Sequence, residues 1–352
     1  MMRIVLAAFL GLACVVALAA QEAPPALEAR KLLAEGEILF AAGKIEEALS
    51  RFRSAREKAP TLVEAHQRYQ DAMIALGRGR EAGEEYRAFA SDGPFKESAL
   101  ACYLLGRISA DLMQKEQHFR AALAKAPDFF WAWHGLGYLY ERLDRWEESE
   151  AAFRRLVALR PDSPLGYNGL GFCYMEQGKN EAAEQAFAEA LKRDPRDTEA
   201  LLNLSYLALR QGNYELAVER ARKLLEVDKD NPWAHNNLGK AYYHLGRYAA
   251  AERAFKAALA QPRYDTPEIA YLNLSFIYRR RRKYDLAAEA CRKAIELRPD
   301  FAYAYNELAQ VQYHQGQYAQ AWENVRRAHE LGYEPRREFL EALRAKMPEP
   351  RK

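Results

Sequence analysis

Two glycine pairs are the first residues in this chain that could do chemistry. "GLGYLY" at 135–140 and "GLGFCY" at 169–174 have the G-x-G spacing with which a backbone wraps a phosphate. A dinucleotide loop also needs a strand ahead of its first glycine, and neither segment has one. Both pairs lie inside stretches of helical period, so Gly137 and Gly171 are packing positions. The seven histidines are the next candidates, for metal ligation or proton transfer. His66 and His235 recur at one repeat position, and His244 and His314 at another, but none has a ligand-spaced partner or an HExxH arrangement. No catalytic set and no cofactor site emerges, and the chain is expected not to be an enzyme. One cluster remains, Arg279-Arg280-Arg281-Arg282-Lys283. Cations stabilise a helix C-terminus, and a solvated corner is one reading. Five in succession exceed that need, and a site for an acidic partner, an anionic polymer such as a polysaccharide, or a lipid headgroup is the other.

The elements behind these residues repeat. In "NNLGKAYYHLGRYAAAERAFKAAL", residues 236–259, Leu238, Gly239 and Tyr242 fall three or four apart and share a helical face. Gly246 breaks the pattern. Tyr248, Ala251, Phe255 and Ala258 then form a second apolar face of the same period. The segment reads as a helix, a turn and an antiparallel helix, with Gly239 and Ala251 allowing close backbone approach. One such hairpin cannot bury its apolar side and needs neighbours. They are present: Pro127, Pro161 and Pro195 recur at equal intervals, at junctions where a residue without an amide donor is tolerated.

A period of about 34 residues, with a large residue, Leu, Gly/Ala/Ser, Tyr, then Gly, Tyr/Trp, Ala, Phe, Ala and Pro, is similar to the tetratricopeptide repeat family. Nine copies are counted, starting near Ala29, Val63, Glu97, Phe130, Pro164, Thr198, Pro232, Glu268 and Ala302. The fold class implied is all-α: a right-handed α-solenoid of antiparallel helix hairpins. Repeats 1–3 (29–129) are irregular. The second carries Gln70 where a small residue is expected, and the third has too few residues between Gly106 and Phe119, which predicts a tightened turn. Repeats 4–9 (130–335) are regular, although "QPRYDTP" adds about two residues after the seventh. Residues 336–347 resemble the extra helix that shields the last apolar face of such arrays, and 348–352 are a tail.

The resemblance also implies a site. In this family the inner surface is built from the first helix of each hairpin. Transferring those positions yields Trp131, Tyr138, Phe172, Asn203, Tyr206, Trp233, Asn237, Lys240, Tyr243, Asn273, Phe276, Arg279, Arg280 and Tyr303 as candidate partner-binding residues. Tyr138, Phe172, Tyr206 and Phe276 share one register. They read either as an adhesive groove, since exposed aromatics offer large contact area at low entropy cost, or as core between adjacent first helices. Asn203, Asn237 and Asn273 share another. This row resembles the ladder with which some family members hold an extended peptide through its backbone, and inter-helix hydrogen bonding is the plain alternative. The implied function is a non-enzymatic scaffold binding another protein or an extended peptide, for assembly of an envelope or secretion complex. The alternative is a carbohydrate-associated module in polysaccharide export or modification.

The N-terminus differs in kind. "MMRIVLAAFLGLACVVALAA" has one basic residue, an apolar run and small residues at Ala17 and Ala19, the pattern of a secretory signal peptide over 1–20. Residues 21–28 then form a short tether. A retained membrane anchor and a lipoprotein acylated at Cys14 are the alternatives, and membrane association is expected only under these two. The mature chain is expected in the periplasm or secreted. It would keep Cys102, Cys173 and Cys291, an odd number in largely apolar positions, and a solenoid core of this size does not need disulfides. With 52 basic and 49 acidic side chains, the net charge of +3 argues against a general nucleic-acid binder.

Overall fold

The computed structural model describes residues 24–350 apart from 93, 94 and 97. The expected signal segment, with its cleavage site and Cys14, lies outside the described residues. Among those described, all regular structure is helical, and no helix is long and apolar enough to cross a membrane. The described residues divide into two compact units, one up to Asp162 and one from Ser163 onward.

The first unit contains α1 (Pro24–Ala41), α2 (Ile45–Lys58), α3 (Val63–Ala75), α4 (Gly79–Ser91), α5 (Ala99–Ile108), α6 (Leu112–Lys125), α7 (Phe130–Arg142) and α8 (Trp146–Leu159). The second contains α9 (Pro164–Glu176), α10 (Asn180–Arg193), α11 (Thr198–Arg210), α12 (Tyr214–Val227), α13 (Pro232–His244), α14 (Tyr248–Leu259), α15 (Pro267–Arg280), α16 (Tyr284–Leu297), α17 (Ala302–His314), α18 (Tyr318–Glu330) and α19 (Arg337–Lys346). Each odd helix up to α17 pairs with the even helix after it. The expected starts of the later repeats fall within two residues of these helices, whereas α1 opens at Pro24, inside the stretch read as a tether.

Local chemistry sets the boundaries. Pro164, Pro232 and Pro267 occupy the first turns of their helices, where a missing amide hydrogen costs nothing. Side chains of Ser163, Asp197 and Asn231 cap the α9, α11 and α13 N-termini. Hairpin turns place Gly43, Gly77, Gly178, Gly212, Gly246 and Gly316 at φ of 70–78°. In the fourth and eighth hairpins Asp144 and Arg282 hold the same left-handed turn at φ 54° and 57°.

Within a hairpin the close approach rests on matched volumes. A Cβ added to Gly137, Gly171 or Gly239 would lie 2.5–2.6 Å from the ring of Phe153, Phe187 or Phe255. Each ring is fully buried and comes from the second helix of the same hairpin. Where the first member is larger, the second is smaller: Ser205 faces the register of Ala221, Ser275 that of Cys291 and Ala309 that of Val325. In the third hairpin Gly106 meets Phe119 after a shorter interval, because α5 has 10 residues where α7 has 13. The tightened turn is thus a lost helical turn. Gln70, too large for its position, is buried and donates through Nε2 to the Leu104 carbonyl of the next hairpin at 2.9 Å.

Between hairpins, the backbones of first helices approach those of the next repeat within each unit, whereas second helices meet through long ion pairs such as Arg56–Glu85 and Arg220–Glu184. First helices therefore line the crowded inner side. The two residues inserted before α15 are absorbed by burying Tyr264. At the C-terminus α19 lays Leu343 against Trp322, whose indole donates to the Met347 carbonyl at 3.0 Å. The described cysteines are free: Cys173 and Cys291 are buried, and burial pushes the Cys291 thiol up to about 12.

Candidate functional site

The inner face of the second unit is built from α9, α11, α13, α15 and α17. One register of it reads Phe172, Tyr206, Lys240, Phe276 and Gln310, one residue per repeat. Tyr206 is 38% exposed and lies within cation–π reach of Arg210. Phe172 and Phe276 are half-buried at the edges of local core clusters. Lys240 stands between the tyrosine and the phenylalanine registers. It is half-buried, has no carboxylate within ion-pair distance among the described residues, and burial lowers its ammonium pKa. An uncompensated, partly desolvated cation costs stability that a bound anion would return.

The neighbouring registers are less free than the sequence suggested. Asn237 is buried, with Nδ2 donating to Ser205 Oγ at 2.7 Å. Its amide is engaged between α11 and α13, so the expected row of three backbone-holding asparagines is interrupted at its centre. Asn203 and Asn273 are half-buried, and the Asn273 Nδ2 has no hydrogen-bond partner among the described residues. One repeat further on, this register carries Glu307, buried to 1% side-chain exposure, which accepts from Arg279 Nε at 2.6 Å. Desolvation pushes the Glu307 carboxyl up to about 7, against the pull of Arg279 and Arg280.

That pair also corrects the reading of the arginine run as a free basic track. Arg279 is neutralised by Glu307, and Arg281 donates to Glu252 at 2.9 Å. Arg282 is taken up by the left-handed turn. Arg280 turns toward the Tyr243 hydroxyl, which raises its pKa. Two of the five charges are thus answered by carboxylates within the fold.

The remaining aromatic candidates divide. Trp233 is half-buried and its indole donates to Asp265 in the inserted loop at 3.3 Å. Tyr243 packs beside Tyr248 and Phe276 at centroid distances of 5.8 and 6.5 Å. Tyr303 is 56% exposed and rests on Tyr333 at 4.7 Å. In the first unit, half-buried Trp131 and Tyr138 line an open cavity together with His134. Four cations line that cavity, Arg68, Arg107, Lys115 and Arg142, with Glu37, Glu64 and Asp71, and none was foreseen from sequence. The signal was the deficit between Gly106 and Phe119, which reorganises this corner. No group of three or more His, Cys, Asp or Glu among the described residues is arranged to hold a metal.

Sequence profiles of the tetratricopeptide repeat match residues 128–196, 174–226, 208–273, 269–301 and 290–323. No curated protein matches the chain. Among solved structures, a tetratricopeptide repeat protein from Parabacteroides merdae is similar over 76% of this chain and 98% of its own, with 21% identity and a TM-score of 0.51. The Cut9–Hcn1 hetero-tetramer of APC/C covers 93% and 78% at 15% identity and a TM-score of 0.58. The IFIT1 monomeric mutant with Gppp-AAAA covers 89% and 80% at 16% identity and a TM-score of 0.61. At these identities the likeness is one of fold. Matched hairpins, a recurring repeat of about 34 residues and successive profile matches lead to one conclusion: the chain belongs to the tetratricopeptide repeat family.

Proposed function

We propose that the second unit is an interaction scaffold that holds an extended segment of a partner protein along its first helices. The supporting observation is the register Phe172, Tyr206, Lys240, Phe276, which combines apolar contact with one uncompensated cation. A segment with apolar side chains about an acidic residue complements it. Asn273 supplies a further donor for that segment's backbone. The N-terminal sequence favours an exported protein, in the periplasm or secreted, and a role in assembling an envelope or secretion complex follows from that placement. The carbohydrate reading loses ground, because Arg279 and Arg281 are internally paired.

The test is a peptide array probed with the full chain, followed by titration of the best binders. Acid-containing extended peptides are expected to weaken roughly tenfold with Lys240→Ala, the loss of one charge-assisted contact. Tyr206→Ala should weaken them similarly while helical content is unchanged. Binders indifferent to both substitutions would refute the groove.

A further inference from the structure

The first unit contains an open cavity of about 550 Å³ bounded by α1, α3, α5, α6 and α7, within the size range of small-molecule sites, roughly 300–1,000 Å³. Its lining charges are mixed: Glu37, paired with Arg68, and Glu64 and Asp71 stand on α1 and α3, and three further cations stand at helix ends. Arg107 lies at the end of α5, Lys115 on the first turn of α6, and Arg142 is the last residue of α7. With α5 a turn short, Lys115 Nζ reaches back to donate to the Arg107 carbonyl at 3.0 Å. This brings the ammonium to the C-terminal end of α5, where it feels the charge of Arg107.

Compensation is incomplete. Asp71 accepts from Arg107 at 2.6 Å but is also approached by Arg68 at 3.6 Å. Lys115 has only the backbone carbonyl, and Arg142 has no carboxylate partner among the described residues. Burial, with repulsion from Arg142 and Arg107, lowers the Lys115 pKa. Converging cations of this kind are held at a cost in stability that an anion removes.

The adjoining wall is aromatic and neutral. Trp131, His134 and Tyr138 succeed one another along α7, with His134 edge-on to both, at 5.6 and 4.8 Å. Burial and the Arg107 charge push the His134 imidazole down to about 4, so it carries no charge at neutral pH. An aromatic wall, its rings set edge to face, therefore adjoins these cations.

We propose that this cavity binds a small aromatic acid, an oxyanion attached to a planar ring, with the oxyanion at Lys115 and Arg142 and the ring against Trp131, His134 and Tyr138. Recognition is independent of the groove on the second unit. Either a carboxylate or a phosphate supplies the oxyanion chemistry.

The experiment is calorimetric titration of the full chain at neutral pH with phenyl phosphate, benzoate and inorganic phosphate. Phenyl phosphate or benzoate is expected to bind more tightly than inorganic phosphate, and the tighter of the two names the headgroup. Arg142→Gln, an exposed position, should weaken that ligand roughly tenfold with unchanged circular dichroism. Lys115→Gln should do the same if Arg142→Gln compromises folding. Trp131→Leu should reduce the preference for the ring-bearing ligand over inorganic phosphate. Absence of binding by both ring-bearing anions, or affinity unaltered in a folded Arg142→Gln or Lys115→Gln variant, would overturn the assignment.

Discussion

In the first unit, successive hairpins are tied by long polar side chains: Gln70 to the Leu104 carbonyl, Gln67 to the Tyr103 hydroxyl at 2.6 Å, and Arg107 to Asp71. In the second, the buried positions between first helices carry short ones, with Asn237 to Ser205, until Glu307 on α17 meets Arg279; the longer pair Arg210–Glu176 lies at the more exposed helix ends. The regular unit packs each first helix on the next with little room between. Where a turn is missing from α5, small side chains no longer fill the gap. Long polar residues and a cavity take their place. Irregularity in the repeat is therefore where polar chemistry has entered, whereas the regular unit presents its chemistry on the inner helix faces.

The largest test of this contrast concerns tightness. Phe119 is held from two sides, since a Cβ on Gly106 would lie 2.5 Å and one on Gly135 2.7 Å from its ring; Phe187 is held in this way by Gly171 alone, at 2.5 Å. Gly106→Ala should destabilise by about 2–3 kcal/mol and Gly171→Ala by about 1–2 kcal/mol, the usual scale for overpacking. Denaturant midpoints check the order. An equal or reversed order would mean that the lost turn leaves the ring free to move.

Acidification should separate the units next. His66 is buried, with Nε2 donating to the Pro60 carbonyl and Nδ1 accepting from the Tyr86 hydroxyl, both at 2.9 Å. Burial lowers its pKa, and that of His134 falls to about 4. Below 6.5 the unfolded chain takes up these protons and the folded unit does not. The first unit then loses stability as pH falls from 6.5 to about 4, on the order of 2 kcal/mol once residual exposure is discounted. Glu307 works the other way. Its folded value, about 7, lies above its ordinary 4.5, so its contribution rises as pH falls through that window. Hydrogen exchange at about pH 7 and about pH 5 should show a larger acceleration of opening in α3 and α7 at the lower pH than in α17, where Glu307 opposes His314, whose pKa burial also lowers. Uniform behaviour across the chain would remove the distinction.

The smallest effect lies in the turns. Arg282 holds a left-handed conformation unfavourable to a long side chain. Arg282→Gly should stabilise the second unit by up to about 1 kcal/mol. Asp144→Gly should give less in the first, because aspartate tolerates that region better. Thermal midpoints moving down in both would show that these side chains contribute more than their backbones lose.

Much of the fold was legible because its determinants are local. Turn glycines, junction prolines and the Gly–Phe match are readable from spacing, and α3, α7, α9, α11, α13 and α17 begin at the residues anticipated. The site was less legible because its state depends on partners about one repeat away. Nothing near Arg279 announces that Glu307, in the following repeat, is buried beneath it. Asn237 has the same sequence surroundings whether it faces a ligand or Ser205. The shortened third hairpin was visible as a deficit, but which charges it brings together is a matter of three dimensions.

The matched pair inside each hairpin also bears on how such a chain can be copied and rearranged. Gly171 and Phe187, or Ser275 and Cys291, are separated by the same interval and complete their fit within one hairpin. A recombination breakpoint at a junction proline such as Pro195 transfers both members together. A crossover at the turn, between Gly178 and Asn180, would join one hairpin's glycine to another's alanine, or its serine to a phenylalanine. Whole hairpins are thus the exchangeable modules of this chain: grafts cut at the prolines should fold, and grafts cut at the turns should carry a void or a clash at their seam.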